Sequence, residues 1–101
     1  MKTWDEIVNG MSQETVQEID IIRKRAAMVV LLIQLRESKG WTQEELAKRA
    51  GMKQSAIARL ESDTTAPRID TVIRVAMALG VDLTLMPADH AGHEHAVAVN
   101  I

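Results

Sequence analysis

The 101-residue chain contains no cysteine. Disulfides, thiolate metal sites and cysteine nucleophiles are therefore excluded. Phenylalanine and tyrosine are also missing, and Trp4 and Trp41 are the only aromatic residues. A core without other aromatics is built from Leu, Ile, Val, Met and Ala, a mixture that favours helices over a β-sandwich or barrel. No long hydrophobic run exists. The longest, Ala26 to Leu35 broken by Gln34, is too short to span a bilayer. Nothing resembles a secretory signal, so the expected compartment is the cytoplasm, with no membrane partner. What remains, 47% hydrophobic and 26% charged residues, suits one small globular domain with a short appendage.

Catalytic signatures are missing too. No Ser-His-Asp spacing, glycine-rich phosphate loop or carboxylate pair placed for acid–base work is present, and no enzyme is expected. No cofactor is implied. His90, His93 and His95 form His-x-x-His-x-His, a spacing that could bind a metal ion. No regular element orients them, so no metal site is expected, although a metal-responsive sensor is one reading of this tail.

The net charge of −2 hides an asymmetry. Residues 23–74 hold 11 of the 12 basic and 6 of the 14 acidic residues, a net +5, while the flanks set Lys2 against eight acids, a net −7. A basic middle between acidic ends points to a polyanionic partner for the middle and a basic partner for one flank. Arg23-Lys24-Arg25 reads as a solvated helix face beside Asp20, with a phosphate-binding patch as the alternative.

Glycines and prolines cut the chain into helix-length pieces. Thr3 and Glu6 have capping-box spacing ahead of Gly10. Ser12 is placed to cap a long helix reaching about Ser38, with Val16, Ile19, Ile22, Ala26, Val29 or Val30, and Ile33 on one face. Its stretch from Ala26 is apolar nearly all round and calls for burial on several sides, either as the central core helix or in a dimer or partner interface. Thr42-x-x-Glu45 is a second capping box, flanked by Trp41 and Leu46 in staple positions, and it opens a helix over 43–50 that stops at Gly51. Helices over 53–62 and 69–79 follow. Val81-Asp82-Leu83-Thr84-Leu85 alternates like a strand, with Val81, Leu83 and Leu85 on one side. Its expected partner is the same strand of a second copy, across a dimer axis. Ala96 to Val99 could form a weak strand within an otherwise flexible tail.

Helices 43–50 and 53–62, joined by a tight turn at Gly51 with Ala47 small at their crossing, have the form of a helix-turn-helix. The second helix presents Lys53, Gln54, Ser55 and Arg59, residue types that suit base edges: Gln matches adenine N6 and N7, and Arg matches guanine O6 and N7. Gln43, opening the first helix, is placed for a phosphate.

Trp41-Thr42-Gln43-Glu44-Glu45-Leu46-Ala47-Lys48-Arg49-Ala50-Gly51, then Gln54 to Glu61, Pro67 and Ala76-x-x-Leu79-Gly80, resemble the Xre/Cro-repressor helix-turn-helix family. The resemblance covers about 27–80. It implies an all-α, five-helix, lambda-repressor-like DNA-binding domain that is dimeric on a palindromic double-stranded operator and represses transcription. It assigns Lys53, Gln54, Ser55 and Arg59 to base contacts and Thr42, Gln43 and Arg68 to phosphate contacts. The sequence departs from the pattern at Asp63, where the family usually has Gly, and in lacking a good cap around Met52 and Lys53.

The acidic N-terminal segment and the Leu83-Thr84-Leu85-Met86 strand also resemble HigA-type antitoxins. That likeness implies autoregulation and capture of a small basic ribonuclease toxin of the RelE/HigB type. Residues 1–22 set Lys2 against Asp5, Glu6, Glu14, Glu18 and Asp20, and an acidic amphipathic segment suits a basic RNA-binding surface. Trp4, Ile7 and Ile19 are the apolar residues expected to touch the toxin, with packing on the long helix as the equal alternative for Trp4. The expected organisation is an extension over 1–26, the DNA-binding domain over 27–80, a dimerising strand over 81–86 and a flexible tail over 87–101. The alternative is a stand-alone regulator whose extension completes the core or the dimer interface.

Overall fold

The computed structural model describes residues 3–10, 12–62, 65–88 and 97–98. Asp63 and the three histidines, with the expectations attached to them, lie outside the described residues. Five helices run in order: α1 (Trp4–Asn9), α2 (Gln13–Ser38), α3 (Gln43–Ala50), α4 (Gln54–Ser62) and α5 (Ile69–Leu79). Two short strands follow, β1 (Thr84–Leu85) and β2 (Val97–Ala98). Among the described residues no helix is long and apolar enough to cross a membrane.

The caps read from the sequence set most helix starts. Thr3 Oγ1 accepts the Glu6 N–H and Glu6 Oε2 accepts the Thr3 N–H, both at 3.2 Å, a reciprocal capping box. Ser12 Oγ accepts the Thr15 N–H at 3.2 Å. Thr42 Oγ1 accepts the Glu45 N–H at 3.1 Å. The second half of that box is spent otherwise, since the Glu45 carboxylate turns to Arg49 Nε at 3.2 Å. Gly51 closes α3 at φ +66°, a left-handed conformation that costs glycine little.

Packing assembles the C-terminal half of α2 with α3, α4 and α5. Leu32, Leu46, Ala47, Ile57, Leu60, Val72, Val75 and Leu79 form one buried cluster, with Met28, Leu35 and Trp41 packed against it. At 26 residues, α2 is about 39 Å long, so its first half overhangs the domain, and Ile21 and Ile22 are exposed there.

The helix expected over about 53–62 runs from Gln54 to Ser62, with Lys53 at the cap position, where its carbonyl takes the Ala56 N–H at 3.0 Å. Within the chain, the apolar stretch from Ala26 buries Val29 and Leu32, while Val30 and Leu31 are about half exposed. One expectation is corrected. The strand expected over 81–86 shrinks to Thr84–Leu85, paired antiparallel with Val97–Ala98 of the same chain in the register Thr84↔Ala98 and Leu85↔Val97. The physical reason lies in Val81 and Leu83, which pack on the domain's own core and leave Leu85 exposed.

Candidate nucleic-acid interface

The corner between α3 and α4 is tight. After Gly51, the Met52 N–H reaches back to the Ala47 carbonyl at 2.9 Å, closing the last turn of α3. Leu46 and Ala47 of α3 and Ile57 and Leu60 of α4 are buried in the same cluster, which holds the outer face of α4 toward solvent. That face carries Gln54, Ser55 and Arg59, with Lys53 just ahead of it, all exposed. The structure therefore brings all four expected base readers onto one surface.

One edge of α4 is tied inward by a chain of polar contacts. Gln54 Nε2 donates to Gln43 Oε1 at 3.2 Å. Gln43 Nε2 donates to Glu61 Oε1 at 3.0 Å. Glu61 receives Arg36 twice, from Nε at 2.7 Å and from Nη2 at 3.0 Å. Arg36 Nη1 then donates to the Trp41 carbonyl at 2.7 Å. The hydrogen bond to Glu61 is the main reason the Arg36 guanidinium is held above its ordinary pKa, against the opposing effect of burial.

Arg36 and Glu61 were not singled out in the sequence reading. A signal was present: Arg36 follows Val29 by seven residues and Leu32 by four, so it shares their buried face, and a cation there needs a counter-charge.

The expected phosphate contacts are spread more widely. The Thr42 hydroxyl is occupied as the cap of α3. Gln43 is half-buried and its amide is engaged at both ends, leaving one Nε2 hydrogen and the backbone N–H groups of the first turn of α3. Arg68 is exposed at the start of α5, with its Nε 3.5 Å from Asp70.

In the N-terminal segment, Trp4 is 53% exposed and the Arg23 guanidinium lies over its ring at 5.6 Å. Trp4 and Ile19 line a shallow hollow of about 250 Å³ together with Val16, Asp20 and Arg23. Ile7 is exposed and does not line that hollow. Asp5, Glu6, Glu14 and Glu18 are solvent-facing; Asp20 is the acid that lines this hollow, while Glu14 and Glu18 line another.

This architecture defines a helix-turn-helix protein. A family model described as helix-turn-helix matches residues 32–86, and the chain belongs to that family. It is 32% identical over 84 residues to an uncharacterized HTH-type transcriptional regulator of Haemophilus influenzae, covering 83% of this chain and 84% of that protein. It is 33% identical over 67 residues to the antitoxin HipB of Escherichia coli K12, covering 66% of this chain and 76% of HipB. Among solved structures, a chain of a toxin–antitoxin module from Streptococcus pneumoniae superposes with a TM-score of 0.62 at 33% identity, covering 88% of this chain and 96% of that one. A chain of a HipA–HipB–O2–O3 complex gives 0.60 at 28% identity, covering 64% and 92%. The antitoxins named here are HipB, a different type from the HigA antitoxins expected from the sequence.

Proposed function

We propose that this chain is a sequence-specific repressor that binds double-stranded DNA through α4, and that it is the antitoxin of a toxin–antitoxin pair. The observation that carries the DNA reading is the outer face of α4, where Lys53, Gln54, Ser55 and Arg59 stand exposed beside a buried anchor. Gln54 spends one Nε2 hydrogen on Gln43 and keeps its Oε1 and second hydrogen, the acceptor and donor that adenine N6 and N7 require. Arg59 offers a fork suited to guanine. Thr42, Gln43 and Arg68 flank α4 on the positions proposed to meet the phosphate backbone.

The proposed assembly is a homodimer on a palindromic operator, with recognition helices about 34 Å apart in successive major grooves. Exposed Ile69, Ile73 and Met77 along α5, together with Leu85, support self-association. The acidic N-terminal segment that carries Trp4, Ile7 and Ile19 is the proposed docking element for a small basic ribonuclease of the RelE/HigB type, and the protein would repress its own operon. The Escherichia coli relative, the antitoxin HipB, and the toxin–antitoxin module from Streptococcus pneumoniae support the antitoxin role. The name of the Haemophilus influenzae relative, a transcriptional regulator, supports the DNA role. Selection of bound duplexes from a random library tests the DNA role. A palindromic consensus is expected, and a library with no enrichment overturns the proposal.

A further inference from the structure

Among the described residues, most cations have a partner within the chain. Lys24, Arg36, Lys48, Arg49 and Arg68 each face a carboxylate. Arg23 and Lys39 lie over tryptophan rings, and Arg25 is engaged as well. Three stand apart from every such contact: Lys53, Arg59 and Arg74. All three line one cleft of about 540 Å³ between α4 and α5, together with Ser55, Arg68 and Thr71. No carboxylate lines that cleft among the described residues. Lys53 and Arg59 belong to the recognition surface already described. Arg74, on the middle of α5, does not.

Arg68 has Asp70 at the rim of the cleft; Lys53, Arg59 and Arg74, gathered there with no carboxylate paired to them among the described residues, repel one another and add nothing to folding. Their convergence is useful when an anion enters. The position of the cleft says which anion. A helix seated in the major groove, about 12 Å wide, has a sugar–phosphate ridge on each side. The start of α3, tied to one edge of α4 through Gln43 and Gln54, faces one ridge. The cleft lies along the other edge, where Arg59 forms one wall and Thr71 and Arg74 form the other.

We propose that the α4–α5 cleft receives a backbone phosphodiester of the opposite DNA strand, and that Arg74 carries the DNA footprint onto α5. This rests on the DNA-binding reading above. As a phosphate contact, Arg74 contributes to every duplex alike and takes no part in the choice of bases.

The test measures the affinity of the full chain for its selected duplex and for an unrelated duplex, by fluorescence anisotropy from 50 to 200 mM salt. Removing one phosphate contact makes the slope of log affinity against log salt shallower by about one. The advantage of the parent over Arg74→Gln then shrinks about three- to fourfold across that range, equally on both duplexes. Arg74→Lys keeps the parent slope, and because Arg74 is exposed both variants are expected to melt with the parent. An Arg74→Gln protein with the affinity and slope of the parent overturns the inference. So does a loss confined to the selected duplex, which would make Arg74 a base reader. A parent that binds neither duplex sinks the DNA reading itself, and this inference with it.

Discussion

Arg36 on α2 and Glu61 at the end of α4 form a two-pronged ion pair, with Nε at 2.7 Å and Nη2 at 3.0 Å from the two carboxylate oxygens. Their side chains are only 13% and 8% exposed. The pair joins the helix that carries the N-terminal extension to the helix that presents the proposed base readers.

Such a pair is costly to break from one side, because the partner left behind is a poorly solvated charge. Full enclosure would make the loss about 3–5 kcal/mol. With one rim open to water, Arg36→Met is expected to cost about 2 kcal/mol, or a melting point lower by about 10 °C for a domain of this size. Arg36→Met combined with Glu61→Met should cost less than the sum of the single changes. Urea unfolding of the four proteins gives the cycle, and strict additivity would mean that the pair is not coupled.

The capped start of α3 and its stop at Gly51 were legible because each rests on residues close in sequence: Thr42 with Glu45, Ala47 with Met52. The Arg36–Glu61 pair was not, since its members are 25 residues apart in sequence and no local rule matches a cation on one helix to an acid two helices on. The register of β1 was missed for the same reason. Alternation marks a strand, but it does not say that Val81 and Leu83 will be drawn onto the core or that Val97–Ala98 will return as the partner. All four proposed base-reading positions were legible as a surface. The link from Gln54 to Gln43 was not, because a side-chain contact across a corner depends on where the corner turns.

That link changes what Gln43→Ala should do. A simple phosphate contact, lost, weakens all duplexes alike. Here Gln43 also holds Gln54, so Gln43→Ala is expected both to weaken binding generally and to relax discrimination at the base pair read by Gln54. The effects of Gln43→Ala and Gln54→Ala should then be non-additive on the selected duplex. Affinities of both single variants and the double variant on matched and singly mismatched duplexes decide it. Additive losses would show that the two amides act independently.

Among the described residues Arg59 has no ion-pair partner, and it lies on the exposed face of α4. Arg59→Ala is expected to cost about 1–3 kcal/mol on the selected duplex and to relax choice at one base pair. Stability should stay within about 0.5 kcal/mol of the parent, as for other surface changes. If Arg59→Ala binds its duplex as tightly as the parent at the same salt, α4 does not read bases through this residue.

Thr42 separates a structural role from a binding one. Its hydroxyl caps α3 at 3.1 Å from the Glu45 N–H, and Thr42→Ala is expected to lower stability by about 1 kcal/mol. Thr42→Ser retains the cap oxygen and should restore it. A DNA contribution would appear as weaker binding by Thr42→Ala at temperatures where the domain is fully folded. Circular dichroism melts read alongside anisotropy distinguish the two.

The extension should be separable from the domain it precedes. Every residue of the buried cluster, and every hydrophobic residue packed against it, lies at Met28 or beyond, while Trp4, Ile21 and Ile22 are exposed. Deleting residues 1–22 removes the acidic surface and the Trp4–Arg23 stack but none of that core. The shortened protein is expected to melt close to the parent and to bind the same duplex with the same salt dependence. It is also expected to lose capture of a basic ribonuclease toxin encoded beside it. Trp4→Ala should weaken that capture in part, since a half-exposed tryptophan is a strong anchor when a partner covers it. Co-purification from cells expressing both chains, scored with survival when the toxin is induced, reads the outcome. A truncated chain that still protects the cell would move the capture surface off the extension and onto the domain itself.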